Sequence, residues 1–378
     1  MKLFNRSQMA IVFAGFVAVS VLGGGTVKAD FTFGTPTNLG PIVNTAYRDA
    51  APFISNDGLS LYFGSNRPGT SGDRDIWVTT RATIEDDWGI PVNLGSPINS
   101  QLFENCPCIS PDGLEFYFMS KFHPNGFGWD DIWVSRRQSK DDPWGDPVNL
   151  GPSINTSFPE YYPRLTSDGL ELYFNSSGLG GFGKNDIFVS RRATVTDDWG
   201  PPINLGSGVN RQSHDISPSI SADGLCLFFS DHESEGPWRV GGYGRSDIWL
   251  TTKQTSELNP EGSWDESQNL GAIINSSHIE GGPCVSADGR VLFFHSDRPG
   301  GFGDSDIYEA TIIPIVDFNG DRIVDAEDMC IMVDHWGEDY SLCDIGPMPW
   351  GDGIVDVEDL KVLAEHLFEE LPGQPIQP

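Results

Sequence analysis

Residues 317–328 read DFNGDRIVDAED. Asp317, Asn319, Asp321, the carbonyl of Ile323, Asp325 and Asp328 fall on positions 1, 3, 5, 7, 9 and 12 of a loop that leads into an apolar stretch, DMCIMVDHW (328–336). Alternating oxygen ligands closed by an acid that opens a helix can wrap a hard cation, and calcium is the expected ion. A second half follows as GDGIVDVEDLKVLAEHLFEEL (351–371), with Leu360, Leu363, Leu367 and Leu371 along one helical face. Counting back from Asp359, Asp352, the Ile354 carbonyl and Asp356 fit positions 5, 7 and 9. The residues at positions 1 and 3 are Met348 and Trp350, which cannot ligate, so Asp344 is the candidate first ligand of a longer loop. The plainer reading of this second loop is a structural turn.

A different set of carboxylates recurs along the chain. Asp49, Glu104, Glu160, Asp215 and Glu280 each stand three residues before a proline. If the strands that carry them are innermost, they ring one mouth of a central channel and are candidate ligand-binding residues for a cation or a polar molecule. A pair of carboxylates about 5–9.5 Å apart, one with a raised pKa, would instead suit glycoside hydrolysis. The plainer reading is that each acid caps local backbone or ties neighbouring units. Repetition favours it, because a catalytic group is needed once. The same applies to Asp75, Asp131, Asp186, Asp247 and Asp306, and to Trp88, Trp144, Trp199 and Trp264, expected to pack between units. His214 and His278 occupy related positions in two copies only.

Residues that break the repetition point better to a ligand. These are Phe122, His123 and Trp129, then Tyr161 and Tyr162, then Trp238 and Arg239. Exposed aromatic rings stack on sugar faces or anchor peptides, so Trp129 and Trp238 are candidate ligand-binding residues. No zinc-protease helix motif, phosphate loop or Gly-x-Ser-x-Gly elbow is present.

The elements that must position these groups follow from an internal repeat. An Asp-Gly turn recurs with its aspartate at 57, 112, 168, 223 and 288, in steps of 55, 56, 55 and 65 residues, the last lengthened by extra residues at 231–242 and 254–263. A short apolar run precedes each turn, as in PCIS (107–110), and an alternating strand follows, as in LEFYFMS (114–120). Asp-Gly between apolar runs is a strong hairpin signal, because the turn needs positive φ. Next come a glycine-rich loop, NGFG or GGFG, a strand such as DIWVSRR (131–137), and a closing stretch such as WGDPVNLG (144–151). Four antiparallel strands repeated five times predict an all-β, five-bladed β-propeller. The fifth copy lacks its closing stretch, and FGTPTNLG (33–40) supplies it from the other end of the domain, with Phe33 in the place of Trp88. One blade built from both ends shuts the ring and removes an open sheet edge.

SPDGLEFYF followed by a Gly-rich loop and DIWVSRR resembles the TolB-like, or WD40-like, propeller repeats of exported bacterial proteins, over about residues 33–312. The paired calcium-type loops and helices resemble a dockerin over about residues 316–371, including Asp at position 12. Arg322 stands where that loop usually has glycine, and Ala326-Glu327 and Val357-Glu358 replace the small hydroxyl pairs of the best-known cohesin binders. The resemblance implies docking, either to a cohesin-like partner or intramolecularly onto the propeller, in extracellular polysaccharide breakdown.

Composition bounds the rest. Residues 1–29 have a basic start, an apolar run (AIVFAGFVAVSVLGGG, 10–25) and small residues before Asp30, the pattern of a secretory signal peptide. Its removal would leave 20 Lys+Arg against 54 Asp+Glu. That balance speaks against nucleic acid and anionic membrane surfaces as partners, and no later stretch is apolar enough to span a bilayer. Cys330 and Cys343 are candidates for a disulfide, whereas Cys106, Cys108, Cys226 and Cys284 read as core residues. The expected organisation is a signal peptide (1–29), a propeller (30–314), a calcium-stabilised, dockerin-like helical module (315–371) and a tail (372–378). The expected function is non-enzymatic binding of a glycan or protein by a secreted molecule. A glycoside hydrolase with carboxylates at the channel mouth and a structural envelope protein are the alternatives.

Overall fold

The computed structural model describes residues 31–232, 239–256, 259–314, 316, 318, 323–338, 343, 345, 346 and 354–368, without the side chains of 254–261. The signal-peptide expectation lies outside these residues. Five antiparallel sheets follow one another along the chain. In blade one, strands A to D are Asp49–Ile54, Ser60–Ser65, Asp75–Thr80 and Val92–Asn93. Blade two runs Phe103–Ile109, Glu115–Lys121, Asp130–Arg136 and Val148–Asn149. Blade three runs Glu160–Leu165, Glu171–Ser176, Asp186–Arg191 and Ile203–Asn204. Blade four has His214–Ile220, Cys226–His232, Ile248–Ser256 and Gln268–Asn269, with an added hairpin strand Asn259–Trp264 in the longest repeat. Blade five has Glu280–Val285, Val291–Ser296 and Asp306–Pro314. Each strand A contacts the A strands of both neighbouring blades, and the fifth contacts the first, so the five A strands form a closed inner ring.

The fourth strand of blade five is Thr37–Asn38, which pairs with Glu309 and Tyr308, and Phe31–Phe33 extends the pairing to Ile312–Pro314. The strands of the closing stretches are two residues long, so something other than the ladder must hold them. A side-chain network does so. Asn99 clamps both backbone groups of Ile76 at 2.9 and 2.8 Å and donates to Asn93 Oδ1, while Asn93 donates to Asp75 at 2.7 Å. The same set recurs with Asn155, Asn210 and Asn275. In blade five the clamp comes from the opposite end of the domain: Asn38 bonds Asp306, and Asn44 holds both backbone groups of Ile307. The ring is thus closed by buried hydrogen bonds as well as by strand pairing.

Strand B supplies most of the core. Phe63, Phe118, Phe174, Phe229 and Phe294 are at most 2% exposed, and burial of each side chain stabilises by about 1.5–3 kcal/mol. Trp88, Trp199 and Trp264 pack edge-on against strand-B aromatics of the preceding blade, Phe293, Tyr117 and Tyr173, as the repetition predicted. Arg81, Arg137, Arg192 and Lys253 cover the outer faces of the four tryptophans.

The C-terminal residues form two helices, Ala326–Asp334 and Val357–Glu365, around a separate core that includes Phe318, Val324, Met332, Ile345, Val355 and Leu363. No disulfide forms among the described cysteines. Cys330 is exposed while Cys343 is buried in this core, so the two are not joined. Among the described residues no helix is long and apolar enough to cross a membrane.

Candidate binding site at one mouth of the axial channel

The five repeated acids lie at the head of strand A, each 1% exposed or less. Glu104 accepts from the N–H and hydroxyl of Ser100 at 3.0 and 2.7 Å, and from Ser120 Oγ at 3.0 Å. Glu160 and Glu280 repeat this with Thr156 and Ser176, and with Ser276 and Ser296. Asp49 accepts from Thr45, and Asp215 from Arg211 N–H. Each acid therefore folds the loop that precedes its strand. The acids heading strand C brace the facing loop: Asp131 accepts from Phe127 N–H, Gly128 N–H and Asn149 Nδ2, and its counterparts do likewise. The two loops meet between blades. A Cβ on Gly128, Gly183, Gly244 or Gly303 would collide with backbone oxygens of the next blade's acid-folded loop.

Cations complete three of these latches. Arg67 reaches Asp49 at 2.6 Å, Arg239 reaches Asp215 at 2.6 Å and Arg298 reaches Glu280 at 3.1 Å. Each arginine also donates to a carbonyl of the preceding closing stretch and lies over two aromatic rings of its own blade. Blades two and three lack this arginine, and in blade two His123 stacks on Trp133 instead, at 4.0 Å. Burial pushes the Glu104 carboxyl up, and that of Glu160 up to about 7, with hydroxyl and backbone hydrogen bonds only partly offsetting it.

Further in, every strand A carries the same irregularity. Its pairing with strand B slips one residue after the acid, and the bulged residue has positive φ: Ala51, Cys106, Tyr162 and Ser217 at 53–57°, and Gly282 at 57°. Only one of the five is glycine, so this ring of β-bulges was not legible from residue type. Non-glycine residues in the left-handed region are costly and persist only where surrounding structure fixes them. The bulges turn these five residues toward the axis. Below them the channel is blocked by Arg164, which is 3% exposed and donates to the carbonyls of Pro52, Pro107 and Pro163, one from each of three blades. A funnel at the far end, among the Asp-Gly turns, stops at the same residue. The near mouth is therefore a chamber closed at its base.

The positions around this chamber differ from blade to blade, although the acid-braced loops beneath them repeat. Before the strand-A acid stand Arg48, Phe103, Pro159, His214 and Ile279; before the strand-C acid stand Arg74, Asp130, Asn185, Ser246 and Ser305. Of these, Arg48 Nε, Arg74 Nε and Asp130 Oδ1 are buried without a hydrogen-bond partner, as are Asn105 Oδ1 in strand A of blade two and Asn175 Nδ2 in strand B of blade three. His295 is buried, and its Nδ1 lies 3.4 Å from Ala51 N–H. Burial, then the Arg48, Arg74 and His232 charges, hold its pKa well below the usual histidine value.

Of the unrepeated aromatics, Trp129 and Phe122 are 64% and 59% exposed, with ring centroids 6.1 Å apart. Both adjoin Asp130 in strand C of blade two, and Phe122 N–H donates to the Trp129 carbonyl at 2.7 Å. Tyr161 and Tyr162 instead pack inward with Ala51, Cys106 and Met119. Trp238 lies outside the described residues, and its neighbour Arg239 is the buried latch of blade four. His214 stacks edge-on to His232 and meets Asn185, whereas His278 lies 3.6 Å from Asp297. A repeated signal was overlooked: Phe127, Phe182, Tyr243 and Phe302 of the glycine-rich loops are each about half exposed and circle the chamber side of the molecule. Aligning the five copies column by column would have exposed both these rings and the variable positions at the mouth.

In the C-terminal segment, Asp317, Asn319, Asp321, Asp344 and Asp352 lie outside the described residues. Asp325 and Asp356 cap the two helices, and Asp328 and Asp359 complete both capping boxes. Asp328 accepts from Phe318 N–H at 2.7 Å, and Asp359 from Ile345 N–H at 2.6 Å. Ile345 thus takes the place of Phe318, which matches a second loop lengthened toward Asp344. Ile323 and Ile354 precede the two capping aspartates by the same two residues. Among the described residues, no group of three or more His, Cys, Asp or Glu side chains stands close enough to hold a metal. Arg290 of blade five lies 3.5 Å from Glu365 of the second helix.

No family model matches the chain, and no curated protein matches it. Among solved structures it is similar to TolB from Acinetobacter baumannii (13% identity, TM-score 0.43), over 70% of this chain and 54% of that one, so the chain spans about half of that protein's length. It is also similar to an α-L-arabinofuranosidase from Lactobacillus brevis (15% identity, TM-score 0.47, covering 72% and 92%) and an endo-arabinase from Bacteroides thetaiotaomicron (17% identity, TM-score 0.46, covering 74% and 97%). At this level of identity the likeness carries no function across.

Proposed function

We propose that this chain is an exported binding protein that holds a glycan at the closed chamber of its propeller without hydrolysing it. The observation that carries this reading is the fate of the acids. All ten repeated carboxylates brace loops between blades, so the mouth offers no open pair for acid and base. Of the unrepeated acids near the mouth, Asp130 and Asp231 have carboxyls that burial raises, Asp231 to about 7. They sit in separate settings: Asp130 feels Lys121 and Asp131, while Asp231 feels Asp247, Arg239 and Asp215 and accepts Asp247 N–H at 2.7 Å. Two-carboxylate hydrolysis needs both groups across one bond. The aromatic pair Phe122 and Trp129 supplies the stacking face that a sugar ring uses.

The test is a polysaccharide panel assayed for both retention and release of reducing ends, with the protein carrying residues 30–378. Retention without release is expected. Replacing both Phe122 and Trp129 by alanine should weaken retention about tenfold or more. Release of reducing ends that vanishes in Asp130→Asn would move the assignment to a glycosidase.

The C-terminal module is proposed as a calcium-stabilised docking unit. Asp317, Asn319, Asp321, the Ile323 carbonyl, Asp325 and Asp328 would hold one ion. Asp344, Asp352, the Ile354 carbonyl, Asp356 and Asp359 would hold a second. The matched capping boxes and the equivalence of Phe318 with Ile345 support two related loops. In calorimetry of the full chain, calcium should raise a transition belonging to residues 316–371 and leave the propeller transition unmoved. Identical traces with calcium and with chelator would count against both ions. The partner is proposed to be a cohesin-like protein or the propeller itself. Calcium-dependent retention on a cohesin column separates the two.

A further inference from the structure

We propose that the cleft between blades five and one is a second binding site, which takes the protonated amine of an amino sugar on the Glu309 carboxylate. It lies at the Asp-Gly end of the propeller, away from the chamber, and does not rest on the chamber reading. Three residues after the strand-C acid, four blades carry an apolar side chain: Val78, Val134, Val189 and Leu250. Blade five carries Glu309 there. The pairing register fixes which way it faces. Glu309 stands directly opposite Thr37 of the closing strand and Phe293 of strand B, with Thr311 two residues along on the same face. These residues form one wall of a cleft of about 480 Å³, a size usual for small-molecule sites. Blade one supplies the other wall through Ile54, Asn56, Arg81 and Ile84.

Glu309 is the acid of this cleft that the fold leaves unmatched. Asp57 accepts from Ser55 Oγ at 2.5 Å and from Leu59 N–H at 3.0 Å, and Asp288 accepts from Ser286 Oγ and Arg290 N–H at 2.5 and 3.1 Å. The two arginines of the lining are engaged elsewhere. Arg81 donates to the Gly58 carbonyl at 2.9 Å and lies 4.3 Å from the Trp88 ring centroid, and Arg290 lies 3.5 Å from Glu365. Glu309 makes no hydrogen bond, and no ion pair within 4.0 Å, among the described residues. It is half-buried, yet its oxygens are not sealed in the interior, so the cleft reaches them. Burial raises its carboxyl pKa, and the Arg81 charge offsets this only in part. An unmatched carboxylate where other blades keep valine costs stability, and a cation brought by a ligand would recover it.

The rest of the lining selects the ligand. A carboxylate can only accept, so its complement is a donor, and an ammonium group adds a charge that a chain with 54 acids against 23 bases attracts. The hydroxyls of Thr35, Thr37 and Thr311 and the Asn56 amide both donate and accept, as sugar hydroxyls do. Ile84, 53% exposed, offers an apolar surface to ring carbons. A plain alkylamine would use the carboxylate and leave the hydroxyls and the amide to water.

The experiment is titration calorimetry of the full chain with the trimer of glucosamine and with the same trimer N-acetylated, in a buffer acid enough to keep the amine protonated. Acetylation keeps the ring hydroxyls and removes the charge. The free amine should bind about thirtyfold tighter, the scale of a charge-assisted hydrogen bond. Glu309→Gln should erase that preference. Glu309→Val should erase it too, and it protects the fold by installing the residue that three other blades carry at this position. Phe122→Ala with Trp129→Ala should leave the preference intact, because those rings belong to the chamber. Equal binding of the two trimers overturns the site, as does a preference that survives in Glu309→Val. A preference lost in the chamber variant puts the amine in the chamber and overturns the site as well. Putrescine binding as tightly as the free trimer overturns the amino-sugar assignment.

Discussion

Arg67→Ala should destabilise the propeller by about 3–5 kcal/mol, read as a fall in the urea midpoint at unchanged slope. The magnitude comes from what the substitution leaves behind. Asp49 is fully buried, and among the described residues Arg67 is the only cation that pairs with it, at 2.6 Å. Truncation strands a carboxylate between blades one and five, removes a 2.6 Å bond to the Val43 carbonyl, and uncovers the faces of Phe63 and Trp77. Val43 belongs to the segment that closes the ring, so the loss falls on the seam where the two ends of the domain meet. Removing both charges at once, as Arg67→Met with Asp49→Asn, should recover most of the stability, because no buried charge is then left unpaired. A loss below about 1 kcal/mol in the single variant would mean that the latch is ornamental, against the pattern expected of a buried pair.

The second expectation is that the buried carboxylates make stability fall as pH rises from about 4 to 7. Burial raises the folded-state pKa of Glu160 and Asp231 to about 7 and of Asp215 to about 6, and raises Glu104 as well. In the unfolded chain such groups titrate near 4. Between those values the folded protein holds more protons than the unfolded chain, so each step up in pH favours unfolding until the folded-state pKa is passed. Glu160 alone accounts for about 3 kcal/mol on this scale. The carboxylates should therefore pull the melting temperature down across that window while His295, held well below the usual histidine value, pulls it up, and Glu160→Gln should shift the slope upward whatever it does to stability at one pH. Self-repulsion of a net charge of −31 acts in the same direction, so the change of slope in the variant is the diagnostic readout. An unchanged slope in Glu160→Gln would contradict the assigned burial of that carboxylate.

The five-bladed ring was legible in the chain because a repeated hairpin unit cannot bury both faces of its sheet alone. The displaced FGTPTNLG stretch named the seam, and the structure seats Asn38 and Asn44 on the last blade's third strand. The tryptophans packed between blades for the same reason. What repetition could not supply was the orientation of side chains at the axis. The strand-A acids look like a ring of ligands in sequence, but tertiary packing turns each one back onto its own loop, where buried N–H and hydroxyl groups need acceptors. The β-bulges were hidden because positive φ is imposed by packing at Ala51, Cys106, Tyr162 and Ser217, not invited by glycine. Sequence by itself determined the repeat and its closure, since those depend on local period and turn chemistry. Only the tertiary structure decided which buried polar groups are satisfied and which are left without a partner, because that depends on what neighbouring blades bring to the same place.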